Sequence, residues 1–218
     1  MKLVLAFHGT RDPRGLAVCD LIAAGVRAVV DVPVVVAYAD VLEPSVRSVV
    51  DSACVVVPVF LAAGYHVRVD IPAQVAGVPG VVVTPPLGLD AVPAVRERLV
   101  EAGVRAGDAV VLGAAGSSDA SALETVRVAA SMVGACAVGY VATASPRIAD
   151  VVAGVRGRRV VVASWLLAPG VFQSTLGRCG ADVVAAPVGA HPLVVAALVD
   201  RYYSALRSSG VGCVPQFV

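Results

Sequence analysis

The second half of this sequence repeats the first half, but it lacks two of the first half's histidines. The matched segments are LVLAFHGTRD (3–12) with VVLGAAGSSD (110–119), FLAAGYH (60–66) with LLAPGVF (166–172), and PPLG (85–88) with APVG (186–189). This alignment places Ala115 opposite His8 and Phe172 opposite His66. A duplicated fold that keeps these imidazoles in one copy points to a single active site, built mainly by the N-terminal half.

The repeat divides the 218 residues into two predicted domains, 1–104 and 105–218. The segment EAGVRAGD, at 101–108, interrupts the apolar pattern between them. Hydrophobic residues make up 58% of the chain, and the excess is mostly Val and Ala. Continuous apolar runs of this kind are typical of parallel strands that are covered on both faces.

Short apolar runs alternate with amphipathic segments, which predicts an α/β fold with parallel sheets built from βαβ units. The predicted strands are Leu3–Phe7, Val32–Tyr38, Cys54–Val59, Val81–Val83, Ala109–Leu112, Ala135–Val141, Val160–Ala163 and Val183–Ala185. The predicted helices are Leu16–Val30, Pro44–Ser52, Asp90–Glu101, Ala120–Met132, Pro146–Val155, Phe172–Cys179 and His191–Leu206. Each half therefore holds about four strands.

Three potential metal ligands follow three successive strands of the first half. His8 follows the first strand, Glu43 the second and His66 the third. Ligands of open α/β sheets bind at the carboxyl ends of the strands, so these side chains are expected to converge. Imidazole and carboxylate groups suit divalent transition metals, and His8, Glu43 and His66 together would leave coordination positions open. The alternative is that both histidines are incidental and that Glu43 begins a solvated helix.

Side chains suited to a ligand with several carboxylates surround these positions. Arginine binds carboxylates through two parallel hydrogen bonds and stays charged. The candidate substrate-binding residues are Arg11, Arg14 and Arg68, with the hydroxyl groups of Thr10, Ser117 and Ser118. The alternatives are that these are ordinary surface arginines, or that HGTRD and GSSD bind phosphate through backbone N–H groups. The chain lacks the GxxxxGK[ST] and GxGxxG phosphate-binding motifs.

Composition excludes several other classes of protein. A formal net charge of +1 gives no general attraction to nucleic acid. Prolines and polar residues interrupt the long uncharged stretches, so no membrane span is expected, and MKLVLAF is too short for a signal peptide. The five cysteines, Cys213 among them, show no zinc-binding spacing and predict reduced thiols in a cytoplasmic protein. A loose tail is predicted from Ser208 onward.

The motifs together resemble those of one enzyme family. HGTRDP (8–13), PVFLAAGYHVRVDIP (58–72) and PPLG (85–88) are similar to the class II tetrapyrrole chelatases of the CbiX/SirB type, in their long, two-half form. Weaker similarity appears in AAGSSD (114–119), SWLLAPGVF (164–172) and PVGAHP (187–192). The resemblance covers nearly the whole chain, and the first two motifs are the specific ones.

The resemblance implies two flavodoxin- or Rossmann-like halves that face a central cleft, in a monomer whose halves imitate a dimer. It implies insertion of a divalent metal (Co²⁺, Fe²⁺ or Ni²⁺) into sirohydrochlorin, a polycarboxylated tetrapyrrole on the routes to sirohaem and cobalamin. The metal is a substrate, and no organic cofactor, nucleic acid or membrane partner is implied. A non-catalytic carrier of metal or tetrapyrrole is the alternative.

The resemblance also implies roles for individual residues. It makes His8 and His66 the catalytic, metal-handling pair and Glu43 the assisting carboxylate. The second copy has Ala115, Ser145 and Phe172 at the corresponding positions, so only the first half is expected to bind metal. The second half would wall the cleft and hold the macrocycle, with Ser117, Ser118 and Gln173 as its contacts.

Overall fold

Two four-stranded parallel sheets form the framework of the computed structural model, which describes residues 1–208. The strands are β1 (Lys2–Phe7), β2 (Val34–Tyr38), β3 (Cys54–Pro58), β4 (Val82–Val83), β5 (Ala109–Ala114), β6 (Ala137–Tyr140), β7 (Val160–Trp165) and β8 (Val183–Val184). The first sheet has the order β2-β1-β3-β4 and the second has the order β6-β5-β7-β8. All eight predicted strands are confirmed, and the two sheets have the same topology.

Helices connect successive strands. They are α1 (Pro13–Arg27), α2 (Val46–Val49), α3 (Ile71–Val75), α4 (Val92–Glu101), α5 (Ala120–Val133), α6 (Ile148–Gly154), α7 (Val171–Leu176) and α8 (Pro192–Ser208). A 3₁₀ turn (Gly88–Ala91) precedes α4, and a π-helical segment (His66–Asp70) runs directly into α3. The seven predicted helices are present with shifted ends. The sequence analysis missed α3 and the π-helix, because Val67, Val69 and Ile71 alternate with polar residues as in a strand.

Each sheet is covered on both faces, as its apolar strands predicted. Along β1, Leu3, Leu5 and Phe7 point into a core between the two sheets, and Val4 and Ala6 point outward. Helices α1, α4, α5 and α8 contribute to the central core. Helices α2 and α3 cover the outer face of the first sheet, and α6 and α7 cover that of the second. The fold is therefore two parallel-sheet halves around a shared layer of helices.

The last helix of each half packs against the other half. Helix α4 contacts β7 and α5, and α8 contacts β3 and α1. Polar contacts fix this exchange: Arg201 pairs with Asp90 at 2.7 Å, and the Tyr202 hydroxyl donates a hydrogen bond to the Met1 carbonyl oxygen at 2.9 Å. The division into 1–104 and 105–218 stays a prediction, because the exchanged helices give both halves one central core.

In both copies, the loop after the first strand closely approaches the loop after the second strand. Gly9 and Gly116, at equivalent positions after β1 and β5, have φ angles of +98° and +97°. A Cβ atom on Gly9 would overlap the Asp40 carbonyl oxygen, and one on Gly116 would overlap that of Ala142. Only glycine combines this backbone conformation with so close an approach. The structure therefore supports the alignment of the two copies.

The sequence analysis also made predictions about membrane spans, the cysteines and the C-terminal tail. No helix within residues 1–208 is long and apolar enough to cross a membrane. Cys19, Cys54, Cys136 and Cys179 are free thiols. The predicted loose tail and Cys213 lie outside the described residues, except for Ser208, which ends α8.

Replacement of Gly116 by alanine tests this close approach of the two loops. Gly134 serves as the control, because it ends α5 with φ of +80° but has open space around its Cβ position. We expect Gly134→Ala to lower the free energy of unfolding by about 1–2 kcal/mol, the cost of left-handed backbone alone. Gly116→Ala should lower it by about 1–3 kcal/mol more, since the overlap adds strain. Urea denaturation measures both, and equal losses would contradict the steric argument.

Candidate active site

A cavity of about 610 Å³ lies between the two halves, at the carboxyl ends of the central strands. Its walls come from the loops after β1 and β3 on one side and after β5 and β7 on the other. The lining residues are 7–12, 15, 19, 59–62, 114–117, 122, 123, 126 and 165–173. Most of these side chains are apolar, which suits a large, flat organic ligand with polar groups at its edge.

Two imidazole rings meet at the first half's side of the cavity. The centroids of the His8 and His66 rings are 4.7 Å apart, and the rings are nearly perpendicular. His8 follows β1 and lines the cavity, whereas His66 begins the π-helical segment and lies against His8 without being one of the lining residues. The Phe60 ring lies 6.3 Å from each of them. The structure therefore brings together the two histidines that the sequence singled out.

Both imidazole rings are held through Nδ1. The Nδ1 atom of His8 lies 3.0 Å from the carbonyl oxygen of Gly9, and Nδ1 of His66 lies 2.9 Å from Oδ2 of Asp70. A carbonyl or an ionised carboxylate only accepts hydrogen bonds, so each contact requires the hydrogen on Nδ1. Each ring therefore keeps the Nε2 lone pair, which can bind a metal ion or take a proton.

Asp70 and Gln74 form a polar chain behind His66 that the sequence analysis missed. Oδ1 of Asp70 accepts a hydrogen bond from Nε2 of Gln74 at 3.1 Å. Partial burial opposes ionisation of Asp70, but hydrogen bonds from His66 and Gln74 outweigh it and hold the pKa of Asp70 below its ordinary value. The available signal was the spacing of His66, Asp70 and Gln74 at i, i+4 and i+8, which places all three on one face of a helix.

Glu43 is held by its own loop. Its Oε2 atom accepts a hydrogen bond from the backbone N–H of Ser45 at 2.5 Å. Among residues 1–208, no three His, Cys, Asp or Glu side chains lie close enough together to hold a metal ion. The structure therefore does not assemble Glu43 with His8 and His66 into a ready three-ligand site. The Ser45 N–H engages only Oε2 of Glu43, and a carboxylate can still offer its other oxygen to a metal.

Cys19 lines the cavity but does not offer a thiolate. Its side chain is buried, and this desolvation raises the pKa of the thiol to about 11. The thiol therefore stays protonated near neutral pH, and metals bind the thiolate. Cys19 is therefore a poor metal ligand here, and the candidate donors are the Nε2 atoms of His8 and His66.

Matching hydroxyl groups shape the two loops that face each other. The Thr10 hydroxyl oxygen accepts from the N–H of Asp12 at 3.1 Å, and that of Ser117 accepts from the N–H of Asp119 at 3.0 Å. Thr10 and Ser117 line the cavity, and their O–H groups remain able to donate to a ligand. Ser118 is not among the lining residues.

The three candidate arginines have different surroundings. Arg11 lines the cavity and makes no hydrogen bond or ion pair within residues 1–208. Arg14 binds both oxygens of Asp12, at 3.1 and 2.7 Å, and these bonds hold the pKa of Asp12 below its ordinary value. Arg68 crosses to the second half and donates to the Ser121 hydroxyl oxygen at 2.7 Å. Arg11 is therefore the arginine already free to meet a ligand.

The second half presents an apolar wall. Ala115 and Phe172 line the cavity where the first copy has histidines, and Trp165 lies beside them. The Gln173 amide is engaged in the fold: its Oε1 accepts from the Ser164 hydroxyl at 2.6 Å, and its Nε2 donates to the Ala185 carbonyl oxygen at 3.0 Å. The imidazole groups therefore lie on the first half's side of the cavity, and the second half's side lacks them.

Comparisons with known proteins agree with this arrangement. The sequence model of one protein family, CbiX, matches residues 2–102. No curated protein matches the sequence significantly.

Solved structures match over both halves. SirB from Bacillus subtilis, solved with Fe³⁺, is 21% identical and has a TM-score of 0.81 over 96% of this chain and 97% of that one. The cobalt complex of the sirohydrochlorin chelatase SirB from Bacillus subtilis subspecies spizizenii is 20% identical, with a TM-score of 0.75 over 96% and 97%. CbiX, described as the terminal enzyme for biosynthesis of siroheme in denitrifying bacteria, is 25% identical, with a TM-score of 0.71 over 94% and 99%. Residues 2–102 are therefore similar to the CbiX family, and the two halves together have the fold of these SirB and CbiX structures.

Proposed function

We propose that this protein is a chelatase that inserts a divalent metal, Co²⁺ or Fe²⁺, into sirohydrochlorin on a route to cobalamin or sirohaem. The observation that carries the proposal is the pair of imidazoles, with ring centroids 4.7 Å apart and each Nδ1 engaged so that Nε2 keeps its lone pair, at the cavity wall that His8 lines. The match to a structure described as the sirohydrochlorin chelatase SirB with cobalt, and the match to SirB with Fe³⁺, support the choice of substrates.

The reaction needs a metal donor and a proton acceptor. When M²⁺ binds the four macrocycle nitrogens, two pyrrole N–H protons leave, so metal and protons move in opposite directions. One imidazole nitrogen cannot hold the metal and accept a proton at the same moment. Two adjacent rings solve this, because one Nε2 can hand over the metal while the other takes the first proton, and the Nε2 that the metal has left can then take the second. One M²⁺ enters as two H⁺ leave, so the charge of the macrocycle is unchanged and no electron is transferred.

The two walls of the cavity have different tasks in this proposal. The apolar wall around Trp165 and Phe172 packs against one face of the macrocycle, and His8, with His66 beside it, lies toward the other face. The carboxylates at the edge of the macrocycle meet Arg11 and the hydroxyls of Thr10 and Ser117. Both walls belong to one chain, so we propose that the protein acts as a monomer.

Removal of either imidazole should strongly slow metal insertion. We expect His8→Ala and His66→Ala each to lower the insertion rate by about 10² or more, the scale of losing a positioned acid–base group. The measurement is the change of the sirohydrochlorin absorbance with time, with Co²⁺ and with Fe²⁺ supplied separately. Wild-type protein should turn over many equivalents, whereas a carrier would give one stoichiometric change and stop.

The third histidine provides the control. His191 is buried at the start of α8, where its Nδ1 accepts from the N–H of Leu193 at 3.2 Å and its Nε2 lies 3.0 Å from a carboxylate oxygen of Glu97. Asparagine also caps helices well. His191→Asn should therefore keep the insertion rate. A wild-type rate in His8→Ala or His66→Ala would refute the site.

The chain should bind one metal ion. Ala115, Ser145 and Phe172 replace the potential ligands in the second copy, and none of these side chains is a good metal ligand. We expect calorimetric titration with Co²⁺ to give about one site per chain, which weakens strongly in a His8→Ala/His66→Ala double variant. Two equivalent sites, or one site that survives in the double variant, would contradict this prediction.

Binding of the substrate carboxylates should depend on the guanidinium geometry of Arg11. Lysine keeps the charge but cannot form the same pair of parallel hydrogen bonds. We expect Arg11→Lys to raise KM for sirohydrochlorin about 5- to 10-fold with little change in kcat, because one to two charge-assisted hydrogen bonds are lost in ground and transition states alike.

Lysine variants of the other two arginines provide a comparison for this change in KM. Arg14→Lys and Arg68→Lys should change KM less, because Asp12 and Ser121 already engage these side chains. Arg127→Lys is the control, since Arg127 is exposed and pairs with Glu124 on α5. If Arg11, Arg14 and Arg68 variants all match wild type, backbone amides and hydroxyls hold the macrocycle instead.

A further inference from the structure

We propose that Asp70, oriented by Gln74, is a positioning residue that fixes the tautomer and the direction of the His66 ring. This inference rests on the proposed function, because His66 must present its Nε2 atom for the metal to be handled. Its own observable is the tautomer of His66, which can be measured without metal insertion.

The π-helical segment places the carboxylate behind the imidazole. The N–H of Ile71 donates to the carbonyl oxygen of His66, a five-residue span that widens the turn. In this turn, Oδ2 of Asp70 lies 2.9 Å from Nδ1 of His66. Such π-helical turns are rare, and they occur frequently at functional sites. The second copy has no counterpart, since α7 spans Val171–Leu176 without a π-helical segment.

Gln74 prevents Asp70 from turning. The backbone N–H of Arg47 donates to Oε1 of Gln74 at 3.1 Å, which fixes the direction of the amide. Nε2 of Gln74 then faces the other way and donates both to Oδ1 of Asp70, at 3.1 Å, and to the carbonyl oxygen of Ala39, at 2.9 Å. The two oxygens of Asp70 therefore have separate partners, Gln74 on one side and His66 on the other.

The same backbone segment holds His8. The N–H of Ala39 donates to the carbonyl oxygen of Phe7 at 2.7 Å, and the N–H of Asp40 donates to that of His8 at 3.1 Å. Residues 39–40 thus anchor the polar chain behind His66 and the backbone that carries His8.

The carboxylate has two effects on His66. It holds the hydrogen on Nδ1, so that Nε2 carries the lone pair, and its negative charge makes Nε2 a better electron donor. His8 has a neutral carbonyl oxygen at the corresponding nitrogen. The pair is therefore unequal, and Asp70 makes His66 the better oriented donor.

Asp70→Asn should invert the tautomer. Asparagine has one carbonyl oxygen, and Nε2 of Gln74 needs an acceptor at that place. The asparagine oxygen will therefore face Gln74, and its NH₂ group will donate to Nδ1 of His66. This arrangement moves the ring hydrogen to Nε2 and blocks the lone pair. We expect a fall of about 10- to 100-fold in Co²⁺ affinity, the range found when carboxylate partners of metal-binding histidines are removed.

Gln74→Met tests the same arrangement from the other side. Methionine removes all three side-chain hydrogen bonds of Gln74 and keeps a similar size, without changing His66 itself. In the Asp70→Asn/Gln74→Met double variant, the asparagine is free to turn its oxygen toward His66. We therefore expect the double variant to regain part of the Co²⁺ affinity that Asp70→Asn loses. A purely structural role for Asp70 predicts the opposite, namely a further loss.

The experiment combines three measurements on the intact chain. The ¹⁵N chemical shifts of the His66 ring report which nitrogen carries the hydrogen, titration with Co²⁺ reports affinity, and insertion kinetics separate kcat from KM. In Asp70→Asn, we expect an Nε2–H signal, weaker Co²⁺ binding and a lower kcat with an unchanged KM for sirohydrochlorin. Glu97→Gln is the matched control, because Glu97 pairs with His191 outside the cavity lining.

The outcomes separate this inference from the proposed function. If wild-type protein inserts no metal, the proposed function fails, and the ¹⁵N shifts and Co²⁺ affinity still decide the role of Asp70. Wild-type ring shifts or wild-type Co²⁺ affinity in Asp70→Asn would overturn the inference, as would equal effects in Glu97→Gln. If Asp70→Asn does not fold, an unchanged His66 ring and Co²⁺ affinity in Gln74→Met would overturn it.

Discussion

Parallel sheets require cover on both faces, and this requirement organises the whole molecule. Each sheet has its own outer helices, but the inner faces share one layer, into which α4 and α8 are exchanged between the halves. Because strands of one sheet are bridged to the other through this layer, the two sets of strand ends are held opposite one another. The cavity of about 610 Å³ is the space that remains between the loops at those ends. The position of the site therefore follows from how the core is buried.

The two copies share their framework and differ in their chemistry. Asp12 and Asp119 cap α1 and α5 in the same way, each accepting from the N–H two residues later. Glu43–Pro44 and Ser145–Pro146 are equivalent cis peptide bonds. The side chains that line the cavity differ, because the first copy has His8 where the second has Ala115, and the second copy adds Trp165 and Phe172. A ligand between such walls would meet mainly apolar side chains on one side and an imidazole on the other.

The sequence predicted the strands well because burial on two faces leaves a strong signal, a continuous apolar run. It also predicted that His8 and His66 would meet, since parallel strands end at one edge. The exchange of α4 and α8 was not predictable from these patterns, because an apolar helix face does not specify which sheet it will cover. The π-helix and Asp70 were missed for a local reason: HVRVDIP alternates like a strand and contains a proline. The bond from Ser45 to Glu43 depends on loop geometry that spacing does not reveal.

The three histidines show how a partner determines what an imidazole can do. Nδ1 of His191 accepts from the N–H of Leu193, so its hydrogen lies on Nε2, which faces Glu97. Both nitrogens of that ring are engaged, and the side chain joins α8 to α4. In His8 and His66, an acceptor holds Nδ1 and leaves the Nε2 lone pair free. His191 and His66 each pair with a carboxylate, yet they carry the hydrogen on opposite nitrogens in different roles. The nitrogen that the fold engages, rather than the presence of a carboxylate, therefore decides whether a histidine here is structural or able to bind metal.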